Sequence, residues 1–110
     1  YIKQLCHGIE YLHGAKVSHR DLKSLNVLLK RGMLLISDFG LSCEIETGIT
    51  SLASGVTTTT ADNAYGTVAW SAPEFFSNRQ ADPYKADLYA LGVVLWEVVT
   101  RKFPFKVTIL

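Results

Sequence analysis

The chain has 110 residues, 48% of them hydrophobic and 19% charged. That length bounds it to one domain at most, and the apolar share excludes a chain that is disordered throughout. A formal net charge of +1 supplies no general field for nucleic acid or an anionic membrane, so any phosphate binding has to be local.

Ile2, Leu5, Ile9 and Leu12 recur at spacings of three and four, which predicts an amphipathic helix that Gly14 ends in a left-handed cap. Val27-Leu28-Leu29 and Leu34-Leu35-Ile36 are short apolar runs separated by Lys30-Arg31-Gly32-Met33. They predict a β-hairpin with glycine at its turn. Thr47 to Thr60 is rich in Ser, Thr and Gly and reads as a mobile surface loop. Pro73 suits the first turn of a short helix through Phe76, and Asp82-Pro83 marks a turn into a longer helix running roughly from Ala86 to Thr100. That helix is apolar nearly all round, so it is expected to be buried on several sides, although the rest of the chain is too small to cover it. Its apolar part is too short for a bilayer and contains Glu97, which argues against membrane insertion.

Cys6 and Cys43 stand far apart without a CxxC spacing. Neither a disulfide framework nor a zinc site is indicated, and a reducing, intracellular (cytoplasmic) setting follows. His7 and His13 are six apart and miss the spacing that places two ligands on one helix face, so they read as ordinary surface or boundary histidines. With no initiator Met and no charged-then-apolar leader, the start reads as mid-domain sequence.

The chemistry concentrates in His19-Arg20-Asp21-Leu22-Lys23-Ser24-Leu25-Asn26, between the first helix and the hairpin. After the hairpin comes Asp38-Phe39-Gly40, so the hairpin returns a second acidic residue toward the first loop. Phosphoryl transfer needs oxygen ligands for magnesium, a positive group for charge on the moving phosphoryl, and a carboxylate to orient the attacking hydroxyl. Asn26 and Asp38, Lys23, and Asp21 are residues of those types.

These two motifs, followed by Gly66-Thr67-Val68-Ala69-Trp70 and Ala72-Pro73-Glu74, resemble the eukaryotic protein kinase catalytic domain. A lone Asp-Phe-Gly is weak and is equally a turn capped by a carboxylate, but the longer run at fixed spacing is specific. The resemblance implies an α+β, kinase-like fold: residues 1–110 as most of a mainly helical C-terminal lobe with a small hairpin, the N-terminal lobe preceding Tyr1. It implies ATP and Mg2+ as cofactors and a protein as substrate, with no nucleic acid.

By the same resemblance, Asp21 holds the substrate hydroxyl and accepts its proton, and Lys23 stabilises the transferring γ-phosphoryl. Asn26 and Asp38 hold metal, and Leu28 forms a floor under the adenine. His19 and Phe39 are packed and not reactive, and Gly40 gives backbone freedom where the activation segment begins. Asp87 bonds the backbone of the catalytic loop, a role compatible with that of an acid near a helix N-terminus. Glu74 pairs in relatives with an arginine from further along the domain, and is expected here as a buried carboxylate without its partner. Lys23 with Thr67 resembles Ser/Thr-specific relatives, and Lys-Ser-Leu-Asn with Asp-Phe-Gly-Leu-Ser resembles the tyrosine-kinase-like group. Arg20 beside Asp21 suggests regulation by a phosphate on Ser51, Ser54, Thr57, Thr58, Thr59 or Thr60, against the plain reading of an unmodified polar loop. Three functions are therefore weighed: a Ser/Thr kinase seen in fragment, a pseudokinase serving as an interaction module, and a small-molecule phosphotransferase. Intact Asp21, Asn26 and Asp38 argue against the second, and Ala72-Pro73-Glu74 against the third.

Overall fold

The computed structural model describes residues 1–44, 68–77 and 81–105. The apolar stripe of the N-terminal segment forms helix α1, Ile2–Gly14, with Leu5 and Ile9 as its buried residues. Its end differs from expectation. Gly14 is the last helical residue, and the left-handed position falls on Lys16 at φ 64°. The amides of Ala15 and Lys16 satisfy the carbonyls of Tyr11 and His13 at 3.0 Å each, so the last turn closes on the helix's own backbone and needs no glycine.

The chain then forms strand β1, Val17–Ser18, and a 3-10 turn, Ser24–Asn26, before the hairpin of β2, Val27–Lys30, and β3, Met33–Ile36. Each strand is one residue longer than the apolar run predicts. Lys30 pairs with Met33, leaving a two-residue turn at Arg31, φ 50°, and Gly32, φ 79°. Two successive positive φ angles are the I′ geometry that suits strand twist. Strand β4, Cys43–Glu44, pairs antiparallel with β1. This second small sheet has no signal in the sequence, because two-residue strands are too short to show a period.

Helix α1 lies against the hairpin. A Cβ on Gly8 would stand 2.9 Å from Ile36 Cδ1, so this glycine permits the close approach. Gln4 accepts the Leu34 amide at 3.1 Å and donates to the Gly32 carbonyl at 3.4 Å, which ties the turn to the helix.

Helix α2, Glu74–Ser77, is a single turn, and α3 spans Pro83–Thr100. The long helix begins three residues before the predicted Ala86. Asp82 is its N-cap, accepting the Tyr84 amide at 2.9 Å, with Pro83 in the first turn. Arg101 ends it at φ 57°. Only Asp87, Ala90, Leu91 and Val94 of α3 are buried, one stripe at helical spacing. Leu88, Trp96, Val98 and Val99 are exposed, so the helix is covered on one side by this chain. Leu5, Ile9, Leu22, Trp70, Ala90, Leu91 and Val94 make the core, with Leu12, Val27, Leu34 and Ile36 packed against it. The architecture is α+β, with two small antiparallel sheets beside the helices among the described residues. Among the described residues no helix is long and apolar enough to cross a membrane.

Candidate active site

Asp87, buried on the second turn of α3, organises the loop that follows β1. Its Oδ2 accepts the His19 amide at 2.8 Å and the Ser18 hydroxyl at 3.0 Å, and its Oδ1 accepts the Arg20 amide at 2.8 Å. His13 Nε2 lies 2.9 Å from the same Oδ2. The carboxylate thus meets donors from α1, β1 and the loop, which satisfies a group otherwise costly to bury. Arg20 itself has φ 67°, a conformation that an L-residue keeps only where its surroundings hold it. Here the Asp87 contact does so.

His19 is fully buried. Its Nδ1 accepts the Asp21 amide at 3.2 Å, which leaves Nε2 to donate to the Ser37 carbonyl at 2.9 Å. Ser37 also gives its amide and its hydroxyl to the Asn26 carbonyl, at 2.8 and 3.1 Å. One loop is therefore stitched to the residue immediately before Asp38.

Asn26, also buried, donates through Nδ2 to the Asp21 carbonyl at 2.7 Å and lies 3.4 Å from Asp21 Oδ2. Lys23 Nζ is 3.5 Å from that same oxygen. Asp21 Oδ1 is buried without a hydrogen-bond partner, which leaves an acceptor available at a place where such an oxygen is ordinarily satisfied. Asp21, Lys23 and Asn26 are thus brought together directly. Asp38 follows Ser37, the residue that bonds to the Asn26 carbonyl. It is exposed, has φ 62°, and accepts the Gly40 amide at 3.4 Å.

Asn26 and Asp38 supply oxygen donors, the chemistry that suits magnesium, which keeps waters and phosphate oxygens in its shell. Among the described residues no group of three or more His, Cys, Asp or Glu could hold a metal by itself. A donor pair completed by substrate oxygens fits this set.

Other expected site residues stand apart. Leu28 lies on β2, paired with Leu35 and half exposed. Phe39 packs edge-on against His19 with centroids 5.0 Å apart, but it is 44% exposed and so only partly the packed residue expected. Glu74 is exposed on α2, so the expected buried, unpartnered carboxylate is absent and no desolvation cost arises there. Thr67 and the stretch Ser51, Ser54 and Thr57 to Thr60 lie outside the described residues.

Sequence reasoning missed three contributors. His13, read as an ordinary histidine, contacts Asp87 and packs on Tyr84 with centroids 4.7 Å apart. Ser37 is the link just described. Glu97 accepts the Ser24 hydroxyl at 2.9 Å and the Trp70 indole N–H at 2.7 Å. Spacing within a window shows none of these, since the partners of His13 and Glu97 lie on distant segments. Trp70 and Ala72 line a small cleft together with Arg20, Asp21 and Asp87.

The protein kinase domain family matches residues 1–109. The human mitogen-activated protein kinase kinase kinase 13 is 42% identical over 100 residues, covering 90% of this chain and 9% of that protein. The human mitogen-activated protein kinase kinase kinase 7 is 39% identical over 107 residues, 93% of this chain and 16% of that protein. A protein of Acanthamoeba polyphaga mimivirus, provisionally named a serine/threonine-protein kinase/receptor, is 38% identical over 104 residues, 93% of this chain and 6% of that protein. The chain spans only 6% to 16% of the length of these relatives. A loop pinned by Asp87, an Asp21–Lys23–Asn26 group and the match along almost the whole length have one meaning together: the chain belongs to the protein kinase family.

Proposed function

We propose that this chain is the catalytic core of the C-terminal lobe of an ATP-dependent protein serine/threonine kinase of the tyrosine-kinase-like group, working inside the cell. The observation that carries this reading is the shared oxygen of Asp21. Lys23 and Asn26 both approach Oδ2, while Oδ1 has no partner. A carboxylate with one oxygen held and the other unpaired has acceptor capacity left to take a hydrogen bond from a serine or threonine hydroxyl, orient it, and take its proton as attack proceeds.

Lys23 stands beside that oxygen and supplies positive charge as the phosphoryl moves away from the nucleotide. Asn26 and Asp38 would hold magnesium, which, when bound, neutralises charge on the phosphate oxygens. His19 and Ser37 keep the two loops in register, so that the acid and the ligands arrive preorganised. Likeness to proteins named as serine/threonine and mitogen-activated protein kinase kinase kinases supports the choice of hydroxyl. The 110 residues alone transfer no phosphate, since the strand lysine and the glycine-rich loop that grip nucleotide in this family are not among them.

The test uses the full-length protein with labelled ATP, magnesium and a general protein acceptor. Label on serine and threonine, abolished by D21N, is the expected result. Label on tyrosine alone, or none with wild type, overturns the reading.

A further inference from the structure

Four residues of helix and two of strand advance by nearly the same distance, about 6.0 Å along a helix axis and about 6.8 Å along a strand. Helix α1 and strand β3 meet in that ratio. Gln4 bonds the backbone at Leu34, and Gly8, four residues further along the helix, faces Ile36, two residues further along the strand. The hairpin is a two-stranded sheet, so β3 has an open edge whose peptide groups lack a neighbouring strand. A side-chain amide carries the same donor and acceptor as a peptide group. That of Gln4 accepts the Leu34 N–H at 3.1 Å and donates to the Gly32 carbonyl at 3.4 Å, in the place that a third strand would fill. Gly8 acts by having no side chain, since a Cβ there would stand 2.9 Å from Ile36 Cδ1, inside the contact distance of two carbons.

The chain beyond Ile36 runs directly into the candidate active site. Ser37 donates its amide to the Asn26 carbonyl at 2.8 Å, and its own carbonyl accepts from His19 Nε2 at 2.9 Å. Asp38 comes next. Among the described residues its carboxylate accepts from the Gly40 amide, 3.4 Å away within the same turn, so its place is set by the strand behind it.

We infer that Gln4 and Gly8 are positioning residues for Asp38, holding β3 in register on α1, the first by hydrogen bonds and the second by close approach. This rests on the reading of Asp38 as a magnesium ligand. A slip of β3 by one residue would turn Leu34 and Ile36 away from the core, and a smaller shift would draw Ser37 off the Asn26 carbonyl. Asn26 and Asp38, the two oxygen donors, would then no longer stand at a fixed separation.

The experiment compares wild type, Q4A, G8A, I36V and G8A/I36V in the full-length protein, by titrating nucleotide at a series of magnesium concentrations. Q4A and G8A are each expected to raise the magnesium concentration for half-maximal nucleotide binding about threefold or more, with binding in the absence of magnesium within about twofold of wild type. Alanine is a better helix former than glycine, so a loss in G8A cannot come from helix propensity. I36V deletes Cδ1, the atom that the new methyl meets, and G8A/I36V is therefore expected to return to within about twofold of I36V alone.

An unchanged magnesium requirement in Q4A and G8A, or a double variant no better than G8A, overturns the inference. Should wild type bind nucleotide with no magnesium dependence, the proposed role of Asp38 falls, and amide hydrogen exchange then decides whether α1 sets the strand. Q4A is expected to speed exchange about threefold or more at Leu34 and at Ser37. Acceleration at Leu34 alone, or at neither, refutes the positioning.

Discussion

Asp87 accepts the backbone N–H of His19 at 2.8 Å across 68 residues of sequence. The same carboxylate takes three further donors, so a single acid ties the long helix to the loop that bears Asp21. Replacing it with Asn removes one acceptor oxygen and turns an N–H2 toward groups that are themselves donors. D87N is expected to destabilise the full-length protein's kinase domain by about 2–4 kcal/mol. Denaturant titration measures this, and an unchanged midpoint would mean that the network contributes nothing.

His13 approaches that carboxylate from α1 at 2.9 Å and packs on Tyr84. H13A is expected to cost about 1–2 kcal/mol, and H13Q, which keeps a donor near the same place, to recover part of it. The effects of H13A and D87N, measured singly and together, should depart from additivity by about 0.5 kcal/mol or more, since the two groups are in contact.

The hairpin turn offers a prediction of opposite sign. Arg31 and Gly32 both have positive φ, and Asn-Gly is the pair that this turn prefers. R31N is expected to stabilise by about 0.5 kcal/mol, whereas G32V, which forces a β-branched residue into the left-handed region, should cost about 1–2 kcal/mol. Thermal melts of both variants check the sign.

Asp21 and Asp38 occupy different places in the proposed chemistry and should fail differently. D21N is expected to lower transfer to protein by about 10²–10⁴-fold, the range for a positioned base, with ATP affinity retained. D38A is expected to lose transfer together with the magnesium dependence of nucleotide binding. Nucleotide titrations with and without magnesium separate the two, and a D21N enzyme with wild-type turnover would remove the role given to that carboxylate.

Arg20 is exposed beside Asp21, where its guanidinium is open to a dianion. Replacing Ser51, Ser54, Thr57, Thr58, Thr59 and Thr60 together by Ala is expected to lower the activity of the full-length protein. Full activity, with no phosphate found on that segment, would defeat the regulatory reading.

Local rules were enough for much of this chain. The stripe of Leu5 and Ile9 and the Arg31-Gly32 turn depend on residues within a few positions of one another, so period and turn chemistry reveal them, whereas Asp82-Pro83 reads in sequence as a turn before a helix from Ala86 and is instead the helix's own N-cap and first residue. The kinase family was legible for a similar reason, because its motifs are short runs. The end of α1 was misread because Gly14 looks like a cap, whereas the carbonyls of Tyr11 and His13 are satisfied by the next two amides.

What the sequence by itself determined is the inventory: which acids, amine and amide lie on which loops, and that a hairpin returns Asp38 toward them. Only the tertiary structure decided which donors each carboxylate meets. Asp87 gathers His13, Ser18, His19 and Arg20, and Glu97 gathers Ser24 and Trp70. It also decided that Glu74 is exposed and that one face of α3 stays uncovered. A hydrogen bond is set by a separation of about 3 Å in space, and chain packing, not sequence distance, brings α1, the loop and α3 that close.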